Sequence, residues 1–507
     1  MFPLYAGMGQ SDTHQPSVVI GGGMGGLIAA IELAAAGHSV QLFEQAASVG
    51  GKLRVQYTDG QAVDAGPTVF TLADVFDASL ARAGTCLADE ISYQPADVLA
   101  RHIWPDGSRL DLFADRQRSL EAVSAFAGAR AADQFAGFLR ASTRAARLLD
   151  GPFMREPRPG IVRLMGRHGP SGWLDMARLN PFASLWRALG QHFDDPRLRQ
   201  LFARYATYTG SDPFQASASL MLIAHVEQAG VWQINGGMIE LARALARVAR
   251  RLGVVIETGQ TVTELEIAGG RVRGLHLADE RYIASSHVVF NGDARALADG
   301  TLGAAARRAV HRRIATDAGL SGVTWVCRRR LASDDLTHHN VLFNADYRAE
   351  FNDIFGQGRL PRDPTIYLCA QDRPAVDHVS ELGAERLLCL VNAPPAVTPL
   401  DPGALSALTE RVDARLAAHG LALELARPDV VRTDPAAFAR AFPGSRGALY
   451  GHAAHGWRAP FQRPTARSKI HGLYLAGGSC HPGAGLPMAA LSGQHAARAL
   501  LEDHAST

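Results

Sequence analysis

The chain has 507 residues, 47% of them hydrophobic and 20% charged, enough apolar content for a large core divided into two or three domains. A formal charge of +2 argues against nucleic acid as a partner, because that needs a basic face to displace phosphate counterions. The cysteines Cys86, Cys327, Cys369, Cys389 and Cys480 are scattered without CxxC spacing, so neither a metal site nor a disulfide framework is expected and a reducing cytoplasm fits. Residues 1–16 lack the basic start and apolar run of a secretory signal, and no export is expected.

The first element is a β-branched run at 17–20 that suits a buried parallel strand. A glycine loop and an Ala-rich helix over 27–37 follow. The window 18–36 is poor in charge, but the glycines Gly21 to Gly26 interrupt it and Glu32 sits inside, so strand, turn and helix explain it better than a membrane span. The loop Gly21-Gly22-Gly23-Met24-Gly25-Gly26 supplies G-x-G-x-x-G. Gly21 permits the tight turn, Gly23 lets backbone approach a pyrophosphate, and Gly26 lets helix pack on strand. The helix N-terminus offers unpaired N–H groups to the phosphates. A second strand at 39–43 ends in Glu44, eighteen positions past Gly26, where a carboxylate can accept ribose hydroxyls. Next come Gly50-Gly51-Lys52-Leu53-Arg54 and Asp64-Ala65-Gly66-Pro67-Thr68.

Residues 116–149 and 179–208 have helical spacing, split by a Pro/Gly-rich stretch at 151–172, and read as a helical insertion. An amphipathic helix over 239–252 leads to a strand pair within 254–277 and a strand at 288–293. Short strands at 322–327, 365–370 and 386–391 alternate with helices and suggest a separate domain. Near the end, a strand over 472–476 runs into Gly477-Gly478, then Ser479-Cys480-His481-Pro482-Gly483-Ala484-Gly485-Leu486-Pro487-Met488, and an Ala-rich helix over 489–500. This is a second helix N-terminus with N–H groups free for a cofactor.

Glu44, the paired glycines and Arg54 resemble the extended fingerprint of the flavoprotein family that holds amine oxidases, Rab escort proteins and carotenoid desaturases. The run His481 to Pro487 resembles the C-terminal signature of bacterial carotenoid desaturases of the phytoene desaturase type. Residues 204–213, Val231-Trp232, 338–343 and 367–373 look most like the branch that desaturates 1-hydroxycarotenoids at C-3,4. The resemblance implies an α/β protein: a Rossmann-type FAD-binding domain of amine oxidase and GDP-dissociation-inhibitor type, a mixed-sheet substrate domain and a helical insertion. The FAD-binding domain is expected at 16–113, 230–300 and 440–505, the insertion at 114–229 and the substrate domain at 301–439. Non-covalent FAD is expected on Gly21, Gly23, Met24, Gly25, Gly26, Glu44, Gly51, Lys52, Leu53, Arg54, Gly66, Pro67 and Thr68. Val262, on a strand returning to the dinucleotide domain, and Gly477, Gly478, Pro487 and Met488 complete that set. The strand at 288–293 is expected to close its sheet.

The reaction implied is hydride transfer to FAD from a 1-hydroxy or 1-methoxy acyclic carotenoid such as hydroxyneurosporene, with oxygen or a membrane quinone as acceptor. The cofactor carries the chemistry, so no catalytic base is assigned. His225, Glu227, His338 and His339 are polar candidates near the reacting end, each also readable as structural. A bilayer-dissolved substrate implies peripheral docking on the membrane, for which Trp173, Leu174, Phe182, Leu185 and Trp186 are candidates. The rivals are phytoene desaturation, carotenoid isomerisation or saturation, a flavin amine oxidase, and a non-catalytic binding protein like the GDP-dissociation inhibitors. No Phe, Tyr or Trp follows Tyr474 to build an amine oxidase's aromatic cage, and the flavin fingerprint is intact where the inhibitors' is eroded.

Overall fold

The computed structural model describes residues 15–158, 160, 180, 182–311, 314, 318–331, 335–373 and 383–505. The strand Ser17–Ile20 is buried on both faces, Val19 in one core and Val18 and Ile20 in another. Each such side chain contributes about 1.5–3 kcal/mol by its burial. The strand lies at the centre of a five-stranded parallel sheet, in the order Leu473–Leu475, Val288–Phe290, Ser17–Ile20, Val40–Glu44, Val255–Thr258.

The helix Met24–Ala35 begins within the glycine loop, earlier than its composition suggests, and is buried from Met24 to Leu33. It packs against the helices Ile239–Arg251 and Leu486–His504. A Cβ on Gly493 would lie 2.2 Å from the Gly25 carbonyl oxygen, so backbone touches backbone at the second of these contacts. That contact brings the N-termini of Met24–Ala35 and Leu486–His504 together.

The other face of the parallel sheet carries an antiparallel sheet of Val262–Ala268, Arg271–Leu277 and Tyr282–Ala284. Val255–Thr258 joins the parallel sheet, and Val262 opens the antiparallel sheet packed on its face, so the Val262 strand does return to this part of the molecule. One expectation is corrected here. Val288–Phe290 is an inner strand, and Leu473–Leu475 closes the edge. Short β-branched runs read alike in sequence, and only their partners decide which sheet they join.

A seven-stranded mixed sheet runs Val431–Thr433, Ser321–Arg329, Glu385–Ala393, Ile366–Ala370, His339–Leu342, Val98–Ile103, Arg109–Phe113. Residues 98–113, expected within the first FAD-binding segment, therefore belong to the second sheet. Val98–Ile103 joins it in parallel, with Arg101 opposite Asn340. The helix Pro402–Ala418 covers one face through Leu405, Leu408, Val412 and Leu416. The helical segment breaks at Gly128, φ +89°, into Arg116–Ala127 and Ala129–Leu149. Its second half holds short helices, Leu185–Leu189 and Pro196–Ala203, while residue 179 and residues 161–172 lie outside the described residues. Among the described residues, no helix is long and apolar enough to cross a membrane.

Candidate cofactor and substrate site

A cavity of about 990 Å³ is lined from both large sheets. Gly23 and Gly485 are the N-caps of Met24–Ala35 and Leu486–His504, and neither helix has a side-chain cap. Asp115, Asp195, Asp293, Asp401 and Asp434 cap theirs. Both uncapped ends lie in the cavity wall, where an anionic group can accept from their N–H groups. Gly21 has φ +98°, and a Cβ on Gly26 would lie 2.0 Å from the Gly21 carbonyl oxygen, so both positions require glycine. Glu44 accepts from Gly22 N at 2.7 Å through Oε2 and from Ala46 N at 2.8 Å through Oε1. Each oxygen keeps a lone pair for a ribose hydroxyl.

Lys52, Arg54 and Arg463 also line the cavity. Lys52 donates to the Leu449 carbonyl, and Arg463 to those of Gly478 at 3.0 Å and His452 at 2.9 Å. Burial pushes all three pKa values down, Arg463 to about 10, with Asp293 opposing it at Lys52. Arg54 lies over Phe438 at 5.0 Å and Phe442 at 5.6 Å, and its buried Nη2 has no hydrogen-bond partner among the described residues. An unsatisfied guanidinium nitrogen is costly, and an anionic group in the cavity would satisfy it. The donor set therefore fits a diphosphate.

Away from the glycines the wall is apolar, with Leu149, Phe153, Leu220, Ile223 and Val226 supplied by the helical segment. At its rim Phe182, 73% exposed, meets Trp457 edge to face at 5.2 Å. A polar cluster interrupts this wall. Arg204 Nη1 donates to Tyr208 Oη at 3.3 Å, and Tyr205 Oη to Glu227 Oε2 at 2.6 Å. Tyr367 Oη lies 2.6 Å from Thr68 Oγ1 and 2.7 Å from His339 Nδ1.

Every expected cofactor residue lines the cavity except Gly26, which packs against Gly21 instead. Of the polar candidates near the reacting end, Glu227 lines it and the three histidines do not. His225 lies 3.3 Å from Thr143 Oγ1. His338 and His339 cluster with Cys369, and burial pushes His338 down to about 4. Of the candidate docking residues, Phe182 is exposed, Leu185 is fully buried, and Trp186 lies under the Arg199 guanidinium at 4.1 Å. Trp173 and Leu174 lie outside the described residues.

Two residues were not anticipated. Asn291 donates from Nδ2 to the Gly21 carbonyl at 3.1 Å, and a Cβ on Gly25 would lie 2.6 Å from its Oδ1. Its signal was available: Phe290 is in register with Ile20, which places Asn291 beside Gly21. Arg463 follows a short turn, Ala459–Gln462, and carries no such signal.

Residues 24–501 match the family of flavin containing amine oxidoreductases. The chain is 45% identical to the hydroxyneurosporene desaturase of Rubrivivax gelatinosus over 98% of its length and 94% of that protein's. It is 43% identical to that of Cereibacter sphaeroides, over 96% of this chain and 98% of the relative. Among solved structures, cyclohexylamine oxidase from Brevibacterium oxydans superposes with a TM-score of 0.60 at 14% identity, covering 97% of this chain and 100% of that one. Putrescine oxidase bound to putrescine gives 0.60 at 14%, over 97% and 99%. These two share the fold, a Rossmann-type flavin domain joined to a mixed sheet. The chain is a flavoprotein oxidoreductase that belongs to the flavin containing amine oxidoreductases, in the group formed by the hydroxyneurosporene desaturases.

Proposed function

We propose that the chain holds FAD without a covalent bond and introduces a C-3,4 double bond into 1-hydroxy acyclic carotenoids such as hydroxyneurosporene. The observation that carries this reading is the continuity of one cavity, from the fingerprint glycines through an apolar stretch to the rim at Phe182 and Trp457. FAD, when bound, supplies the hydride acceptor. Gly21, Gly23, Met24 and Gly25 present backbone to the diphosphate, Arg54 offers it Nη2, and Glu44 accepts from the ribose. Val262 borders the adenosine end, while Gly51, Lys52, Leu53, Gly66, Pro67, Thr68, Gly477, Gly478, Pro487 and Met488 surround the rest. The apolar walls align the polyene and keep water from the reacting bond. Cys480 supports the non-covalent reading, since its thiol faces the Ala476 carbonyl at 3.6 Å outside the lining and burial pushes it up to about 12.

Phe182 and Trp457, with the Arg458 guanidinium 4.8 Å from the Trp457 ring, combine apolar and basic groups at the rim. That chemistry suits peripheral docking on a bilayer, with oxygen or a membrane quinone as final acceptor. The test is product analysis after incubation of the FAD-loaded protein with 1-hydroxyneurosporene in liposomes under air or with added quinone. Loss of two hydrogens with a red-shifted spectrum is expected. Conversion of phytoene with hydroxyneurosporene untouched would overturn the substrate assignment.

A further inference from the structure

We propose that Arg204, Tyr208 and Glu227 form the site that recognises the substrate's tertiary hydroxyl, an assignment that rests on the desaturase reading above. Charged side chains in an apolar wall are costly unless a ligand or neighbour pairs with them. All three line the cavity and are only half-buried, whereas their neighbours Tyr205 and Ala206 are buried.

Their bonding capacity is only partly used. Glu227 accepts from Tyr205 at 2.6 Å, which leaves about three of the roughly four lone-pair sites of a carboxylate. Burial pushes the Glu227 carboxyl up, while Tyr205, the nearby Tyr208 and Arg204 pull it back down. Arg204 reaches Tyr208 through Nη1 and otherwise lies over the rings of Tyr208 at 5.5 Å and Tyr367 at 5.3 Å. A tertiary alcohol is donor and acceptor at once. It can donate to Glu227 and accept from Arg204.

The position fits the same chemistry. Tyr367, under Arg204, is bonded to Thr68 at 2.6 Å, and the adjoining Gly66 packs so closely on the Lys52 carbonyl that a Cβ there would lie 2.0 Å away. The polar cluster therefore adjoins the cofactor segment rather than the rim. In a 1-hydroxylated chain the oxygen is three bonds, or about 4 Å, from C-3. A hydroxyl held by Arg204 and Glu227 thus keeps C-3 within about 4 Å of the cluster, which Thr68 joins through Tyr367. Behind the cluster a void of about 30 Å³, lined by Arg204, Tyr205, Tyr208, Glu227, His339 and Tyr367, has room for one water to hydrate its far side.

The test is a competition between 1-hydroxyneurosporene and neurosporene, which lacks the hydroxyl, with wild type, E227Q and Y208F at measured FAD content. Wild type is expected to favour the hydroxylated substrate at least tenfold. In both variants its kcat/KM falls about tenfold to a hundredfold, mainly through KM, while that for neurosporene changes less than about twofold. Equal use of the two substrates by wild type, or a parallel loss on both in variants that retain FAD, would overturn the proposal while leaving the desaturase reading intact. If one variant loses FAD, the other decides. Wild type that converts neither substrate would overturn both readings.

Discussion

The two ends of the cavity are built from different material. The cofactor end is mostly backbone: glycines at 21, 23, 25 and 51, two uncapped helix N-termini, and carbonyls that receive Lys52 and Arg463. The substrate end is side chain: Arg204, Tyr208, Glu227 and Tyr367 set among aliphatic and aromatic residues. A site made of backbone fails when a Cβ is added, because nothing nearby can give way. A site made of side chains changes its preference when one group is replaced.

The largest effect separating the two ends is expected from Gly23→Val. A Cβ at Gly23 would lie 3.0 Å from the Asn291 side chain, which can yield, but the added methyls would stand where the diphosphate is proposed to lie. FAD retention should be abolished, read as loss of yellow colour from the purified protein; full flavin content would refute the backbone account. Next is Arg54→Ala, which removes the unpaired Nη2. FAD affinity should drop about tenfold to a hundredfold by flavin titration. Stability of the FAD-free protein should drop only about 1 kcal/mol, from the lost contacts with Phe438 and Phe442.

A pH effect arises outside the cavity wall. Burial holds His102, His338 and His481 down to about 4, below the unfolded value of about 6.5, so the unfolded chain binds those protons more tightly. Their contribution is complete above about pH 6.5 and is lost as pH falls toward 4. Burial raises Glu350 to about 7, which has the opposite sign: its fold is favoured as pH falls from 7 toward 4.5 and offsets part of the loss. With three such histidines against one such carboxyl, lower stability at pH 5.5 than at pH 7.5 is expected, checked by denaturant titration. A more stable protein at pH 5.5 would contradict the buried, neutral histidines. The smallest effect belongs to the rim. Phe182→Ser should leave the melting temperature within about a degree or two, while co-sedimentation with liposomes drops severalfold; unchanged partitioning would remove Phe182 from the docking surface.

The same contrast explains what was legible in the amino-acid order. Gly21 and Gly26 could be read because a tight turn and a close approach are local demands that few residues meet. Gly477 and Gly485 meet the same kind of demand, with φ +104° and +116°. Val98–Ile103 was misassigned because its sheet is decided by a parallel partner at His339–Leu342, far along the chain. Val262 lines the cavity as expected, yet it sits on the antiparallel sheet. Among His225, Glu227, His338 and His339, composition offered no choice. The 3.3 Å contact of His225 with Thr143, the packing of His338 and His339 around Cys369, and the Tyr205–Glu227 bond arise only when distant segments meet.

The most direct test of the central claim, that flavin and polyene share one cavity, is anaerobic mixing of the FAD-loaded protein with 1-hydroxyneurosporene while the absorbance of oxidised flavin is followed. The account predicts bleaching of one flavin for each substrate that loses two hydrogens, with colour restored on admitting the acceptor. Product formed without any flavin bleaching, or no change in either, would contradict it.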